Sequence, residues 1–257
     1  MRALTYNLLA GHDDDDARLE QATLLLQAAQ PDVLVLYECT LLALENCARL
    51  RQLEAALGMQ AQLALAASGF HVALLLRGGE IEGVEALTTG FSHVALVASV
   101  RVCRWQLRVI AAHLDPYSPE QRVREVERIV AQLSRERASL VMGDLNAISA
   151  RDLDACHPEQ WVERYRKRHL SAAGAIDTRA IEVLEENTLV DVHAALHAKT
   201  SPTRPTSRYA RADRPLQRLD YIFASSELAH AARECAPYGH ACAQTASDHL
   251  PLYADFD

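Results

Sequence analysis

Apolar runs of strand length recur along the whole chain, and six of them meet a carboxylate, an amide or an imidazole at one end. Asn7 follows Ala3-Leu4-Thr5-Tyr6, Glu38 follows Val33-Leu34-Val35-Leu36-Tyr37, and His113 follows Val109-Ile110-Ala111-Ala112. Asp144 and Asn146 close Val141-Met142-Gly143-Asp144-Leu145-Asn146, and Asp220 sits in Arg218-Leu219-Asp220-Tyr221-Ile222-Phe223. Ser247-Asp248-His249 precedes Leu250-Pro251-Leu252. Strand ends that converge at one sheet edge hold their side chains rigidly around a shared point. These are also the groups that bind a hard cation and activate water beside it. The pattern is that of a metal-dependent hydrolase.

Between the strands lie helical patterns, which makes the chain α/β. Periodicity predicts helices over 13–30, 41–57 and 118–136. The acidic run Asp13 to Asp16 is read as a helix start, where carboxylates favour the positive end of the helix dipole. Strands are predicted at 4–8, 33–37, 60–66, 71–76, 93–100, 106–112, 140–143, 219–224, 230–236 and 252–256. Residues 151–197 read as helices and loops, and 199–218 as a loop carrying Pro202, Pro205 and Pro215. No linker or short repeat interrupts the chain, and the polar ends come from both halves, so residues 1–257 are expected to form one domain.

Composition narrows the partners. A formal charge of −8 argues against a protein coated in positive field for indiscriminate DNA binding, though it allows a local basic groove. Aromatic residues at 5% disfavour an extended base-stacking platform. No apolar run approaches the roughly 20 residues that span a bilayer, and Met1-Arg2-Ala3-Leu4 enters a strand directly, so no export signal is expected. Six cysteines without a CxxC pair imply reduced thiols and no structural zinc. A cytoplasmic protein is expected.

Thr5-Tyr6-Asn7, Tyr37-Glu38, Ala112-His113-Leu114, Gly143-Asp144-Leu145-Asn146, Arg218-Leu219-Asp220-Tyr221-Ile222 and Ser247-Asp248-His249-Leu250-Pro251-Leu252 occur in the order of the endonuclease/exonuclease/phosphatase superfamily, which the chain resembles over nearly its full length. The resemblance implies a four-layer α/β/β/α sandwich, two packed mixed β-sheets flanked by helices. It also implies Mg²⁺- or Mn²⁺-dependent hydrolysis of a phosphoester. On this resemblance Glu38 is the principal metal ligand, with Asn7 and with Asp248 directly or through water. Asp144 orients or deprotonates the attacking water, and Asn146 fixes it and contacts phosphate. His113 and His249 bind phosphoryl oxygens, and Asp220 hydrogen-bonds His249, favouring its charged form. The general base is left open, since metal-bound hydroxide is an alternative. Tyr37 stands where the family often has an amide and is expected to alter substrate contacts.

Two basic runs flank these clusters: Arg164, Arg166, Lys167 and Arg168, then Lys199, Arg204, Arg208, Arg211, Arg214 and Arg218. A solvated face and a rim that receives an anionic substrate both fit such runs. Arg208 and Arg211 are the residues expected to bind substrate. The favoured substrate is a small phosphorylated metabolite or lipid headgroup, with DNA or RNA as the alternative. A catalytically silent binding module of the same fold is the second alternative.

Overall fold

The computed structural model describes residues 1–9 and 15–257, without the Asp15 side chain. Among these residues, two six-stranded sheets form the centre. One runs in the order β11 (Ala232–Pro237), β12 (Leu252–Phe256), β1 (Arg2–Asn7), β2 (Val33–Tyr37), β4 (Val72–Leu76), β3 (Gln60–Ala64). The other runs β5 (Glu80–Leu87), β6 (Ala95–Val102), β7 (Trp105–His113), β8 (Ala138–Asp144), β10 (Asp220–Ser225), β9 (Leu189–Asp191). Pairs β1/β2 and β7/β8 are parallel and the other pairs antiparallel, so both sheets are mixed.

Strand alternation sorts the side chains into layers. On β2, Val33, Val35 and Tyr37 join the core between the sheets, together with Leu74, Leu96, Val109, Leu140, Ile222 and Ala254. Leu34 and Leu36 face the other way, onto helices α1 (Asp15–Ala29) and α2 (Thr40–Leu57), which supply Leu25, Leu26, Leu50 and Leu53. Ile110, Val141 and Phe223 of the second sheet pack likewise on α3 (Pro119–Val130) and α5 (Arg179–Glu186). Strands buried on both faces need apolar residues at consecutive positions, which is why β2 reads as an unbroken run. The result is a four-layer α/β/β/α sandwich.

Shorter helices α4 (Glu163–His169), α6 (Val192–Leu196) and α7 (Ser226–His230) complete the chain. No helix among the described residues is long and apolar enough to cross a membrane, and all six cysteines are free.

Some elements differ from the sequence expectation. Asp13 and Asp14 of the acidic run lie outside the described residues. α2 is interrupted at Leu44–Cys47, where Glu45, Asn46 and Cys47 adopt left-handed backbone. α3 ends at Val130 rather than at residue 136. Residues 226–230 form α7, so the strand expected from 230 starts at Ala232.

Register places the polar ends together. Asn7 lies opposite Tyr37 across β1/β2, His113 opposite Asp144 across β7/β8, and Asp144 opposite Asp220 across β8/β10. Gly143 makes this end possible. Its φ is +151°, and an added Cβ would lie 1.8 Å from Ala112 O. Neither backbone can yield without breaking the ladder, so Gly143→Ala is expected to destabilise the fold by roughly 3 kcal/mol. A urea titration checks this, the midpoint falling without a change in slope.

Candidate active site

Asp144 ends β8 with its carboxylate buried at the centre of the cluster. Its Oδ2 lies 3.8 Å from His113 Nε2 and 3.7 Å from His249 Nε2. Its Oδ1 accepts the Asn146 backbone N–H at 2.9 Å. Asn146 makes that turn at φ 48°, a left-handed conformation that asparagine tolerates. The Asn146 amide donates to Leu114 O at 3.1 Å, tying the exits of β7 and β8 together.

His249 comes from the segment before β12. Its Nδ1–H donates to Asp220 Oδ2 at 2.8 Å, leaving Nε2 turned to Asp144. Tyr37, on the opposite sheet, donates its hydroxyl to Asp220 Oδ1. Tyr37 therefore supports Asp220 from beneath, whereas the sequence placed it among the substrate contacts.

Burial and charge set distinct protonation states. Burial raises Asp144 to about 7, against the pull of His249. Burial alone would lower His249, but Asp220 and Asp144 outweigh it and bring the imidazole to about 9. His113 is held well below the usual histidine value by burial and by His93 and His249. Near neutrality the site thus holds one imidazolium, one neutral imidazole and a carboxylate poised between its two forms.

Asn7 and Glu38 meet at the end of the first sheet. Asn7 Nδ2 donates to Glu38 Oε1 at 2.9 Å, and Asn7 Oδ1 accepts the Leu9 N–H at 2.7 Å. Asn7 is buried and Glu38 half-buried, an oxygen-donor pair of the kind that Mg²⁺ or Mn²⁺ takes. Ligand atoms of Asp144, Asp220 and His249 also lie within 4.8 Å of one another. Both Asp220 oxygens already accept hydrogen bonds, however, so that trio is better suited to holding a proton than an ion.

Asp248, expected as a metal ligand, faces two guanidinium groups. Its Oδ2 lies 2.9 Å from Arg204 Nη2 and 3.7 Å from Arg214 Nη1, and its Oδ1 is 4.0 Å from His249 Nε2. Burial would raise this carboxyl, but His249, Arg204 and Arg214 hold it below its usual value. Arg208 and Arg211, expected at the substrate, are exposed in the same loop, where Arg208 Nη1 donates to Thr245 O at 3.2 Å. Arg204 and Arg214 reach the cluster itself. Nothing in the sequence separates them from the rest of the basic run.

His93 also escaped the sequence reading. Its ring centroid lies 4.5 Å from that of His113, and its Nδ1 is 2.8 Å from Ser68 Oγ. The Asp115 loop beneath them is fixed by Glu125, which accepts the N–H groups of Ser92 at 2.6 Å and Asp115 at 2.8 Å.

A sequence model described as the Endonuclease/Exonuclease/phosphatase family matches residues 4–249. No curated protein matches the chain significantly. Among solved structures, an AP endonuclease from Archaeoglobus fulgidus is 20% identical with TM-score 0.77, covering 100% of this chain and 99% of that one. A 3'-5' exonuclease from Neisseria meningitidis is 23% identical with TM-score 0.77 and covers both chains fully. A 3' phosphatase from Neisseria bound to product DNA hairpin is 22% identical with TM-score 0.75, covering 100% of this chain and 99% of that one. At these identities the structural likeness establishes the fold.

Proposed function

The chain belongs to the endonuclease/exonuclease/phosphatase family of phosphoester hydrolases, and from that premise we propose that it is a divalent-metal-dependent hydrolase of a small phosphorylated metabolite or lipid headgroup. The observation that carries the catalytic reading is the junction of Asp144, His113, His249 and Asp220, drawn from four segments into contact distance.

In this reading a phosphoryl group sits against the His249 imidazolium and the His113 Nε2–H, which stabilise charge developing on its oxygens. Asp144, held by the Asn146 N–H, orients the attacking water and accepts its proton. Asp220 keeps His249 charged, and the Tyr37 hydroxyl keeps Asp220 in place. Glu38 and Asn7 would hold Mg²⁺ or Mn²⁺, which when bound polarises the phosphoryl oxygen and eases departure of the leaving group. Asp248 serves as the anchor for Arg204. Residues 1–257 act as one domain, since both sheets contribute to the centre. Six free thiols suit the cytoplasm, the compartment proposed.

The small substrate is supported by how the surface cations are spent. Arg164 pairs with Asp213, Lys167 with Glu163, Arg179 with Asp177 and Glu120, and Arg204 and Arg214 with Asp248. With these cations matched, a chain of net charge −8 presents a weaker positive field to a polynucleotide backbone. One observation favours a second reading, a nuclease acting on a single-stranded end. Tyr117 is 66% exposed, with Arg168 stacked 5.1 Å over its ring, an arrangement on which a base stacks well.

The test is release of phosphate or nucleotide from sugar, inositol and lipid phosphoesters and from single-stranded and abasic DNA, with Mg²⁺, Mn²⁺ or chelator. The small-ester reading expects chelator-sensitive turnover of a small ester whose KM changes little with salt. Preference for DNA, with affinity falling on a log–log salt slope of about −3 or steeper, would replace it with the nuclease reading.

A further inference from the structure

Residues 203–206 are wedged between the two segments that carry Asp220 and His249. Thr203 Oγ1 accepts the N–H groups of Leu219 at 3.1 Å and Asp220 at 3.3 Å, and Thr203 O accepts the Leu250 N–H at 2.6 Å. Thr206 donates its N–H to Asp248 O at 3.1 Å and its hydroxyl to Ser247 O at 2.6 Å. Between these two threonines Arg204 forms an isolated antiparallel bridge. Its N–H donates to Gln217 O at 3.0 Å, and Gln217 N–H donates to Arg204 O at 2.8 Å. The Arg204 backbone is thus tied to the same strand end and the same segment that present the reacting groups. A side chain mounted this way is positioned before substrate arrives.

Asp248 stands between Arg204 and His249. Its Oδ2 lies 2.9 Å from Arg204 Nη2 and 3.7 Å from Arg214 Nη1, and its Oδ1 lies 4.0 Å from His249 Nε2. The Arg204 guanidinium is therefore one carboxylate's width from the imidazolium that receives the phosphoryl group. A lone carboxylate there would repel an incoming phosphate, and the two guanidinium groups reverse the local sign. Arg204 is the more enclosed of the two, its side chain 14% exposed against 26% for Arg214.

The ion pair uses little of what this guanidinium offers. Among the described residues its only side-chain hydrogen bond runs from Nη2 to Asp248, out of five N–H groups. Its Nε–H is buried without a partner among them. A charged donor left unspent in the interior is costly, and such a group calls for an explanation in function. The planar fork matches the oxygens of a phosphoryl group, whereas a lysine would suffice to hold one carboxylate.

We propose that Arg204 is a catalytic residue whose guanidinium binds a non-bridging oxygen of the phosphoryl group beside His249, with Asp248 as the carboxylate that aims it. This rests on the phosphoester-hydrolase reading of the same site. It gives the wedge of residues 203–206 a purpose, since three hydrogen-bonded contacts hold one arginine at the reacting phosphorus.

The test compares wild type, Arg204→Ala and Arg204→Lys on para-nitrophenyl phosphate and its bis-ester with Mg²⁺ or Mn²⁺. Arg204→Ala is expected to lower kcat by about 10²–10³-fold, the scale for one donor to developing charge. Millimolar guanidinium is expected to restore at least about tenfold of that loss. Arg204→Lys keeps a cation against Asp248 but no fork, so it is expected to melt near the wild-type Tm and still lose about tenfold or more in kcat. A kcat for Arg204→Ala within about threefold of wild type, or a loss that guanidinium leaves untouched, would overturn the assignment and make Arg204 a brace for Asp248. Calorimetry with inorganic phosphate needs no turnover. Its Kd is expected to rise about tenfold in Arg204→Ala, the loss of one charge-assisted hydrogen bond, and an unchanged Kd would overturn the contact. Phosphate held through Arg204 without turnover of either ester by the wild type would count against the hydrolase reading and leave the contact standing.

Discussion

Asp144→Asn is expected to lower kcat by about 10²–10⁴-fold, the range for loss of a positioned acid–base group, with KM little changed. The substitution keeps shape and Oδ1, so the Asn146 N–H still has an acceptor at 2.9 Å. It removes the proton acceptor, which lies between His113 Nε2 and His249 Nε2 at 3.8 and 3.7 Å. Single-turnover kinetics with saturating metal measure the effect on chemistry alone. A loss confined to KM would mean that Asp144 binds substrate and takes no part in the proton transfer.

Asp220→Asn is expected to cost about 10²–10³-fold in kcat, comparable to loss of one oxyanion-stabilising donor, because it acts through His249. With Asp220 charged, His249 stands at about 9 although burial opposes its protonation. Without that charge only Asp144 and Asp248 oppose burial, and the imidazole falls below its wild-type value. His249 is needed protonated, so the wild-type rate falls as pH rises through about 9, and the variant's falls at lower pH. The stability that His249 contributes obeys the same direction, present in full below 6.5 and lost as pH rises through about 9. NMR titration of the His249 ring in metal-free protein reads the shift without reference to activity. An unchanged midpoint in Asp220→Asn would detach Asp220 from His249.

The parts of the fold legible in the sequence were those where both faces of a strand are buried. Val33–Tyr37 carries apolar residues throughout, and Ala138–Asp144 does so from Leu140 up to its polar end. β5 reads Glu-Ile-Glu-Gly-Val-Glu-Ala-Leu and escaped notice, because an edge strand shielded by charge has no apolar face to advertise it. β9, three residues long, is too short for a period. The interruption of α2 at Leu44–Cys47 is a backbone event in residues that otherwise suit a helix.

The site was legible to the same degree. Asn7, Glu38, His113, Asp144, Asp220 and His249 stood out because each breaks an apolar run at its end. Arg204, Gln217 and His93 matter through neighbours distant in sequence: Arg204 through Asp248, Gln217 through the bridge to Arg204, His93 through His113. A guanidinium in a basic loop looks the same in sequence whether it is solvated or buried against a carboxylate. Tyr37 is the instructive case. Its position beside Glu38 suggested substrate, but the alternation of β2 turns its ring into the inter-sheet core and its hydroxyl onto Asp220.

The most direct test of the account is hydrolysis of the preferred phosphoester in water enriched in heavy oxygen, with Mg²⁺ and again with chelator. Attack by an Asp144-oriented water on phosphorus predicts that the label enters the released phosphate, that the alcohol carries none, and that chelator stops the reaction. Label in the alcohol, or turnover indifferent to the chelator, would contradict it.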